Sequence, residues 1–219
     1  MSDEDEIVSL FPLPNVVLFP GVDLPLHVFE PRYREMVADA MDGDRRIGMV
    51  LLRGDWRRDY HGTPPVFALG CAGRIETFER LADGRSNLLL KGSRRFEIVE
   101  EVPGKPYRRA RVRWRDESSS LDASVAADAG TRLRRSIERV FEGTSTRLPD
   151  SWWDGLPDGL GALVNRLGFA LELDPVEKLS LLDCDLATER CDRLVEMLEF
   201  LAAERRLGAG GSRGEGPWH

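Results

Sequence analysis

Residues 10–41 read LFPLPNVVLFPGVDLPLHVFEPRYREMVADAM, a stretch that contains a loop, a strand and a helix in that order. The apolar loop lies between Pro14 and Pro20-Gly21, and the Pro-Gly pair predicts a turn at its end. Residues 22–29 alternate, with four aliphatic residues on one face and Asp23, Pro25, His27 and Phe29 on the other, which predicts a strand. Pro25 places that strand at a sheet edge or a bulge, because proline donates no ladder hydrogen bond. Pro31 suits the first helical position, and apolar residues at helical spacing extend the helix to Met41.

The chain on both sides of this stretch predicts more strands. A continuous apolar run at 47–52 is typical of a buried strand, and Asp83-Gly84 between two strand-like segments predicts a hairpin. The other strands are expected at 7–11, 68–80, 86–92, 95–101 and 107–115.

The second half of the chain shows helical periodicity. Asp174 is predicted to cap a helix, with Pro175 at its first position and Glu177 as its capping-box partner. Each helix has an apolar stripe that needs a partner, which favours a small bundle. We expect helices at 123–142, 159–170, 175–182 and 187–206.

The expected fold class is therefore α+β, with strands first and helices second. A polar, Ser-rich segment separates the two parts, and a Gly-rich tail follows the last helix. The predicted organisation is a β-rich subdomain at 7–115, a linker at 116–122, a helical bundle at 123–206 and a flexible tail at 207–219.

Charge and cysteine content limit the possible functions. The chain has 219 residues and a formal net charge of −7, which repels phosphate and argues against a nucleic-acid partner. The first residues are acidic and no run of about 18 apolar residues occurs, so we expect neither a signal peptide nor a membrane span. Three cysteines are too few and odd in number for a disulfide framework, and they predict reduced, buried thiols in a cytoplasmic protein.

No motif for catalysis, a metal or a cofactor emerges from the sequence. The nearest approach to a phosphate-binding loop is PGKP at 103–106, which lacks the first glycine and has proline in place of Ser or Thr. His27, His61 and His219 do not have the spacing of a zinc protease. Cys71 is flanked by glycines, which favours a small buried residue over a reactive thiol. We therefore expect a protein that is not an enzyme.

The strand at 107–115 places arginines on one face and Trp114 on the opposite, core-facing side. Such a face can follow a phosphate backbone, or it can be solvated and paired with the glutamates at 97, 100 and 101. The second interpretation is favoured, because no aromatic residues are interleaved for base stacking. The face consists of Arg109, Arg111, Arg113 and Arg115, with Arg94, Arg95 and Arg108 nearby.

Residues 10–41 resemble the N-terminal substrate-binding domain of the Lon protease family, in particular small stand-alone proteins that consist of that domain. The segments PLPNVVLFPG and FEPRY carry the resemblance, and it extends over about residues 7–206. Further matching segments are GCAGRI at 70–75, Gly84-Arg85 and GSRR at 92–95.

The resemblance implies a small PUA-like β-barrel with one helix, followed by a helical bundle. In full-length members this region captures unfolded or degron-bearing polypeptides and passes them to an ATPase ring and a Ser–Lys peptidase. The chain ends near the point at which the ATPase would begin, and it shows neither a nucleotide site nor a peptidase. We therefore expect a non-catalytic polypeptide-binding module, working alone or with a separate protease. PUA-like barrels elsewhere bind RNA, which keeps the arginine face as an alternative site.

Two groups of apolar residues are candidates for polypeptide binding, which needs an exposed apolar groove or a free strand edge. One group lies in the proline-bounded loop and the neighbouring strand. The other is a tryptophan pair, because two adjacent Trp side chains rarely both fit a core. Alternatively, Phe11, Phe19 and Phe29 fill the barrel interior. The candidates are Val16, Val17, Leu18, Phe19, Pro25, Phe29, Trp152 and Trp153.

Overall fold

The six strands form one mixed sheet that closes into a barrel. The computed structural model describes residues 6–59, 62–117, 123–142 and 159–211. The strand order is β2-β5-β4-β3-β1-β6, and an additional pairing of β5 with β6 closes the ring, so among the described strands only β2 lies at an edge. The strands are β1 (Glu6–Leu13), β2 (Asp23–Val28), β3 (Arg46–Leu52), β4 (Val66–Arg80), β5 (Ser86–Glu101) and β6 (Arg108–Arg115).

Strand β5 is long enough to have different neighbours along its length. Its first part pairs with β2, from Ser86 to Lys91, and its second part pairs with β6, from Arg95 to Glu101. The sequence predicts two separate strands here, but the structure has one strand with a bulge at Ser93. The Ser93 hydroxyl donates to the carbonyl of Ala72 at 2.8 Å. The bulge therefore bends the strand towards the barrel without ending it.

The barrel interior is filled by Phe96 and small or branched residues around it. Phe96 is fully buried, and a Cβ atom added at Gly48 or Gly70 would lie 2.9 or 2.5 Å from its ring. Trp114, half-buried, packs against this core with its ring edge-on to Phe96. Of the phenylalanines expected to fill the barrel, Phe29 is exposed. The other members of the core are Val8, Leu10, Val50, Ala72, Ala110 and Val112.

Helix α1 (Pro31–Asp42) begins with the proline that the sequence predicts at its first turn. It buries one stripe, formed by Tyr33, Met36, Val37 and Ala40. The ring of Tyr33 lies 4.4 Å from the ring of Phe11 on β1, which holds the helix against the barrel. The opposite side of the helix remains available to solvent or to a partner. A short 3-10 helix follows β3 at Trp56–Asp59.

The second half contains the predicted helices α2 (Ala123–Val140), α3 (Gly159–Ala170), α4 (Pro175–Asp183) and α5 (Ala187–Gly211). The predicted capping box at the start of α4 is present. The Asp174 side chain accepts from the backbone N–H of Val176, and the Glu177 side chain accepts from that of Asp174. None of the described helices is long and apolar enough to cross a membrane. Cys71, Cys184 and Cys191 are all buried thiols that form no disulfide, as the sequence predicts.

By the contacts between residues, the chain divides into two units, and the division differs from the one that the sequence suggests. The first unit joins the residues up to Glu117 with Asn165–Asp185, whereas the second joins Ser118–Val164 with the residues from Leu186 onward. The sequence places 165–185 in the helical bundle because periodicity identifies helices without identifying what they pack against.

In the first unit, two arginines of the barrel hold the end of helix α4. Arg95 is 1% exposed, and its guanidinium donates to the carbonyls of Leu182 and Cys184 at 2.9 and 2.8 Å. Arg115 donates to the Asp183 carbonyl at 2.8 Å and to the Asp185 carboxylate at 2.6 Å. Arg95 is therefore not part of an exposed basic patch, because the carbonyls of this turn take its hydrogen bonds.

In the second unit, helices α2 and α5 lie side by side and run parallel. Arg132 pairs with Asp192 and Arg139 with Glu199, so both helices advance in the same direction. The Cys191 thiol donates to the carbonyl of Ala129. The pKa of Cys191 is raised to about 11 by burial and, to a smaller extent, by the charge of Asp192. This thiol is a packing residue, since thiolate is the reactive form.

Candidate functional site

A groove of about 620 Å³ lies in the first unit between helix α1 and the hairpin that joins β4 to β5. The helix contributes the face opposite to its buried stripe, together with the edge of that stripe. The hairpin contributes the last residues of β4, the turn and the first residue of β5. The groove is lined by Pro31, Arg34, Glu35, Val37, Ala38, Met41, Asp42, Phe78, Arg80, Gly84 and Ser86.

The floor of this groove is apolar and partly accessible. Val37 is almost fully buried, whereas Phe78 keeps 38% of its surface exposed. Gly84 has a φ of +82°, and a Cβ atom there would lie 2.0 Å from Nη2 of Arg34. Glycine therefore adopts the positive φ that the turn requires, and its missing side chain leaves room for Arg34 at the end of the groove.

The rim of the groove carries charges of both signs. Within the described ranges, Arg34, Arg80 and Asp42 have no ion-pair partner, so their charges are available to a ligand. Glu35 lies 3.9 Å from the amine of Lys105. Among the described lining residues there is no histidine, cysteine or lysine, and Ser86 is buried. The arrangement is therefore suited to binding an apolar chain, and the lining that the structure describes contains no nucleophile paired with a base.

The edge strand β2 ends beside this groove. Val28 pairs with Ser86, which lines the groove, and Phe29 follows with 58% of its surface exposed. The N–H of Gly92 donates to the carbonyl of Val22. In an antiparallel ladder every second residue is hydrogen-bonded to the partner strand, so the backbone groups of Pro25, three residues later, point away from β5. The prediction that Pro25 marks a sheet edge is confirmed, because its missing N–H falls on the unpaired side.

The apolar loop that the sequence proposes as a binding segment is largely buried. Val17, Leu18 and Phe19 are at most 4% exposed, and Val16 is half-buried. Helix α3 covers the loop: the Asn165 amide donates to the Pro20 carbonyl at 3.0 Å, and a Cβ atom at Gly168 would lie 3.4 Å from the Phe19 ring.

Among the proposed binding residues that the structure describes, Pro25 and Phe29 have exposed side chains. Trp152 and Trp153 lie outside the described residues, so their proposed role stays a prediction.

The arginine face of β6 is largely occupied by the protein's own acceptors. Arg111 pairs with Glu100 at 2.8 Å, and Arg108 pairs with Glu101. Arg115 pairs with Glu97 as well as with the end of α4. Arg109 donates to the carbonyl of Pro103 at 2.7 Å, and Arg113 is exposed. The pairing with the three glutamates is the one that the sequence favours.

The groove itself is not among the sequence-based candidates. Phe78 carries the missed signal, because it is a large apolar residue at an outward-facing position of β4, close to the Asp83-Gly84 turn. On the helix, periodicity assigns Met41 to the apolar stripe and leaves Ala38 outside it. A strand and a helix distant in sequence form this site together, and periodicity gives no information on such tertiary proximity.

Comparison with known proteins assigns the family. The matching family is described as the ATP-dependent protease La (LON) substrate-binding domain, and its model matches residues 7–199. Lon protease 2 of Herpetosiphon aurantiacus is 30% identical over 193 residues, which are 87% of this chain and 23% of that protein. The Lon protease of Cytophaga hutchinsonii is 32% identical over 88% of this chain and 24% of that protein. The chain thus spans about a quarter of the length of the curated relatives it matches.

Solved structures support the same assignment. The Lon N-terminal domain protein from Xanthomonas campestris has a TM-score of 0.62 and 28% identity, and the match covers 87% of this chain and 98% of that one. The N-terminal domain of the Mycobacterium avium complex Lon protease has a TM-score of 0.64 over 91% of this chain and 99% of that one. At 16% identity it shows the fold alone. The α+β fold with a PUA-like barrel is confirmed. Because the family model covers residues 7–199, the chain belongs to the LON substrate-binding domain family.

Proposed function

We propose that this chain is a non-catalytic module that binds exposed apolar segments of unfolded or degron-bearing polypeptides. The family match supports this, since what is matched is a substrate-binding domain and neither a protease nor an ATPase domain. We further propose that the module works in the cytoplasm, where its three cysteine thiols stay reduced, and that a separate protease receives what it binds.

The observation that carries the proposal is the accessible apolar groove between α1 and the β4–β5 hairpin. Phe78 offers a partly exposed ring on one wall, and Met41 offers a flexible thioether side chain on the other. Methionine adapts to ligands of different shape, which suits a site that accepts many sequences. Burying one large apolar side chain of a ligand contributes about 1.5–3 kcal/mol. Several such contacts are needed for stable binding, and the exposed ring of Phe29 beside the groove offers another.

The charged rim orients the bound segment more than it strengthens binding. Arg34, Arg80 and Asp42 are solvent-accessible, and exposed charge pairs contribute about 0–1 kcal/mol. The affinity therefore comes mainly from apolar burial, which salt does not screen.

Two phenylalanine variants test the proposal. We expect Phe78→Ser to weaken binding of a fluorescein-labelled, reduced and carboxymethylated protein by about tenfold, because the groove loses its accessible ring. The matched control is Phe200→Ser, which removes a ring that is 63% exposed on helix α5. Fluorescence anisotropy gives both affinities, and circular dichroism checks that both variants are folded. Equal affinities of the wild-type protein and Phe78→Ser would contradict the proposed groove.

A further inference from the structure

A second pocket lies on the other side of the first turns of α1. It has a volume of about 300 Å³ and is enclosed by the start of the helix, the residues before β4 and the segment that joins β5 to β6. Four basic residues line it, against a single acidic one, Glu101. The basic residues are Arg32, Lys105, Arg108 and Arg109.

Three of these cations are fixed by carboxylates. Arg32 pairs with Glu30 at 3.0 Å, Arg108 pairs with Glu101, and Lys105 pairs with Asp39 at 2.7 Å. Of these three carboxylates, Glu101 lines the pocket, whereas Glu30 and Asp39 are not among the described lining residues.

The Asp39 carboxylate is the anchor of this arrangement. The pKa of Asp39 is lowered from its ordinary value, first by its hydrogen bond with the Lys105 amine and then by that with the Tyr107 hydroxyl. The Tyr107 hydroxyl donates at 2.5 Å. The same bond to Asp39 raises the pKa of Lys105. Lys105 therefore remains a cation at the pocket wall over the whole physiological pH range.

Arg109 differs from the other three. One of its terminal nitrogens donates to the Pro103 carbonyl at 2.7 Å, and its buried Nε has no hydrogen-bond partner among the described residues. No carboxylate in the described ranges lies within ion-pair distance of its guanidinium. An unsatisfied buried donor is unfavourable, and a ligand oxygen that bonds to this guanidinium would offset part of that cost. The planar fork of arginine is suited to a carboxylate.

We propose that this pocket binds the carboxylate of an acidic side chain on the captured polypeptide, with Arg109 as its main ligand and Lys105 beside it. The identity of the ligand rests on the proposed function. Carboxylates are the anionic side chains that an unmodified polypeptide carries, and the planar fork of Arg109 is suited to them. The pocket adjoins the groove, because Glu35 lines the groove and lies 3.9 Å from the Lys105 amine. A chain bound in the groove thus lies close enough for one of its side chains to reach the pocket.

Three short peptides of one apolar sequence test the assignment. The first is acetylated and amidated and contains one Glu, the second has Gln in its place, and the third has Gln and a free C-terminal carboxylate. We expect the Glu peptide to bind about tenfold more tightly than the Gln peptide, as one charge-assisted contact gives. Equal binding of the first two peptides, or preferred binding of the third, would overturn the proposal.

Two arginine variants assign the effect to the pocket. Arg109→Gln should remove the preference for Glu, and Arg109→Lys should retain part of it, because lysine keeps the charge and loses the fork. Arg113→Gln is the matched control: it removes the same charge from an exposed position of the same strand, and the preference should survive. An equal loss in Arg109→Gln and Arg113→Gln would mean general charge attraction and would overturn the proposal.

A measurement with glutarate separates this proposal from the proposed function. In the wild-type protein we expect millimolar glutarate to shift the amide NMR signals of Gly104 and Lys105 and to leave that of Gly130 on α2 unchanged. Arg109→Gln should abolish those shifts. If no peptide binds but glutarate gives this pattern, the polypeptide function fails and the carboxylate pocket stands. If glutarate shifts neither signal, the pocket proposal is overturned.

Discussion

Arg95 shows how one side chain determines the position of a whole segment. Its guanidinium is almost completely buried, and it donates to the carbonyls of Leu182, Cys184 and Asp116. It also lies 3.1 Å from the Asp185 carboxylate. The Leu182 and Cys184 carbonyls lie at the end of α4, and the Asp116 carbonyl follows β6. A buried arginine in this position therefore links the barrel to residues 165–185 of the same unit.

We expect Arg95→Met to lower the free energy of unfolding by about 3–5 kcal/mol, because it removes one partner of a buried charged network. Urea unfolding followed by circular dichroism measures the change. Arg113→Met is the control, and its effect should be within about 0.5 kcal/mol, as is usual for an exposed residue. Similar stabilities of the two variants would show that Arg95 does not hold the end of α4.

At the scale of elements, the apolar loop before β2 is packed between strands and a helix. A Cβ atom at Gly92 would lie 2.0 Å from the Phe19 carbonyl oxygen, and Gly21 and Gly92 are joined by a backbone hydrogen bond of 2.9 Å. On the other side, Asn165 and Gly168 of α3 lie against the loop. Close approach of backbone to backbone at Gly92 therefore fixes where this loop lies.

We expect Gly92→Ala to lower the free energy of unfolding by about 3 kcal/mol or more, since the added methyl group meets a backbone atom that cannot move away by a rotamer change. Gly130→Ala on α2 is the control, because a Cβ atom there has open space. It should raise the stability by about 0.5–1 kcal/mol through helix propensity. Thermal melts of both variants measure this, and a Gly92→Ala variant as stable as the wild type would disprove the close approach.

The elements themselves could be predicted from the sequence because their signals are local. Pro31, the Asp83-Gly84 turn and the Asp174–Glu177 capping box each lie where the sequence indicates. The division at Ser93 within β5 could not be predicted, because a bulge and a strand end look alike in a hydrophobic pattern. The burial of Val17, Leu18 and Phe19 depends on Asn165 and Gly168, which are about 145 residues away in the chain.

At the scale of the whole molecule, the charge distribution and the groove favour the same kind of partner. The formal net charge of −7 disfavours a polyanion, and the arginines of β6 mainly meet Glu97, Glu100 and Glu101. The accessible surface with apolar lining lies elsewhere in the first unit, between α1 and the β4–β5 hairpin. The candidate site could not be read from the sequence, since its two walls are separated by about forty residues and periodicity does not show which distant elements lie side by side.

The most direct test of the central claim compares two ligands at two salt concentrations. Anisotropy is measured for the wild-type protein with a labelled unfolded polypeptide and with a labelled single-stranded RNA, each at about 50 and about 200 mM salt. We predict that the polypeptide binds and that its affinity changes by less than about threefold, because apolar burial dominates and only rim charges are screened. RNA binding that falls steeply with salt, together with no binding of the polypeptide, would contradict the account and identify the arginine face as the functional surface.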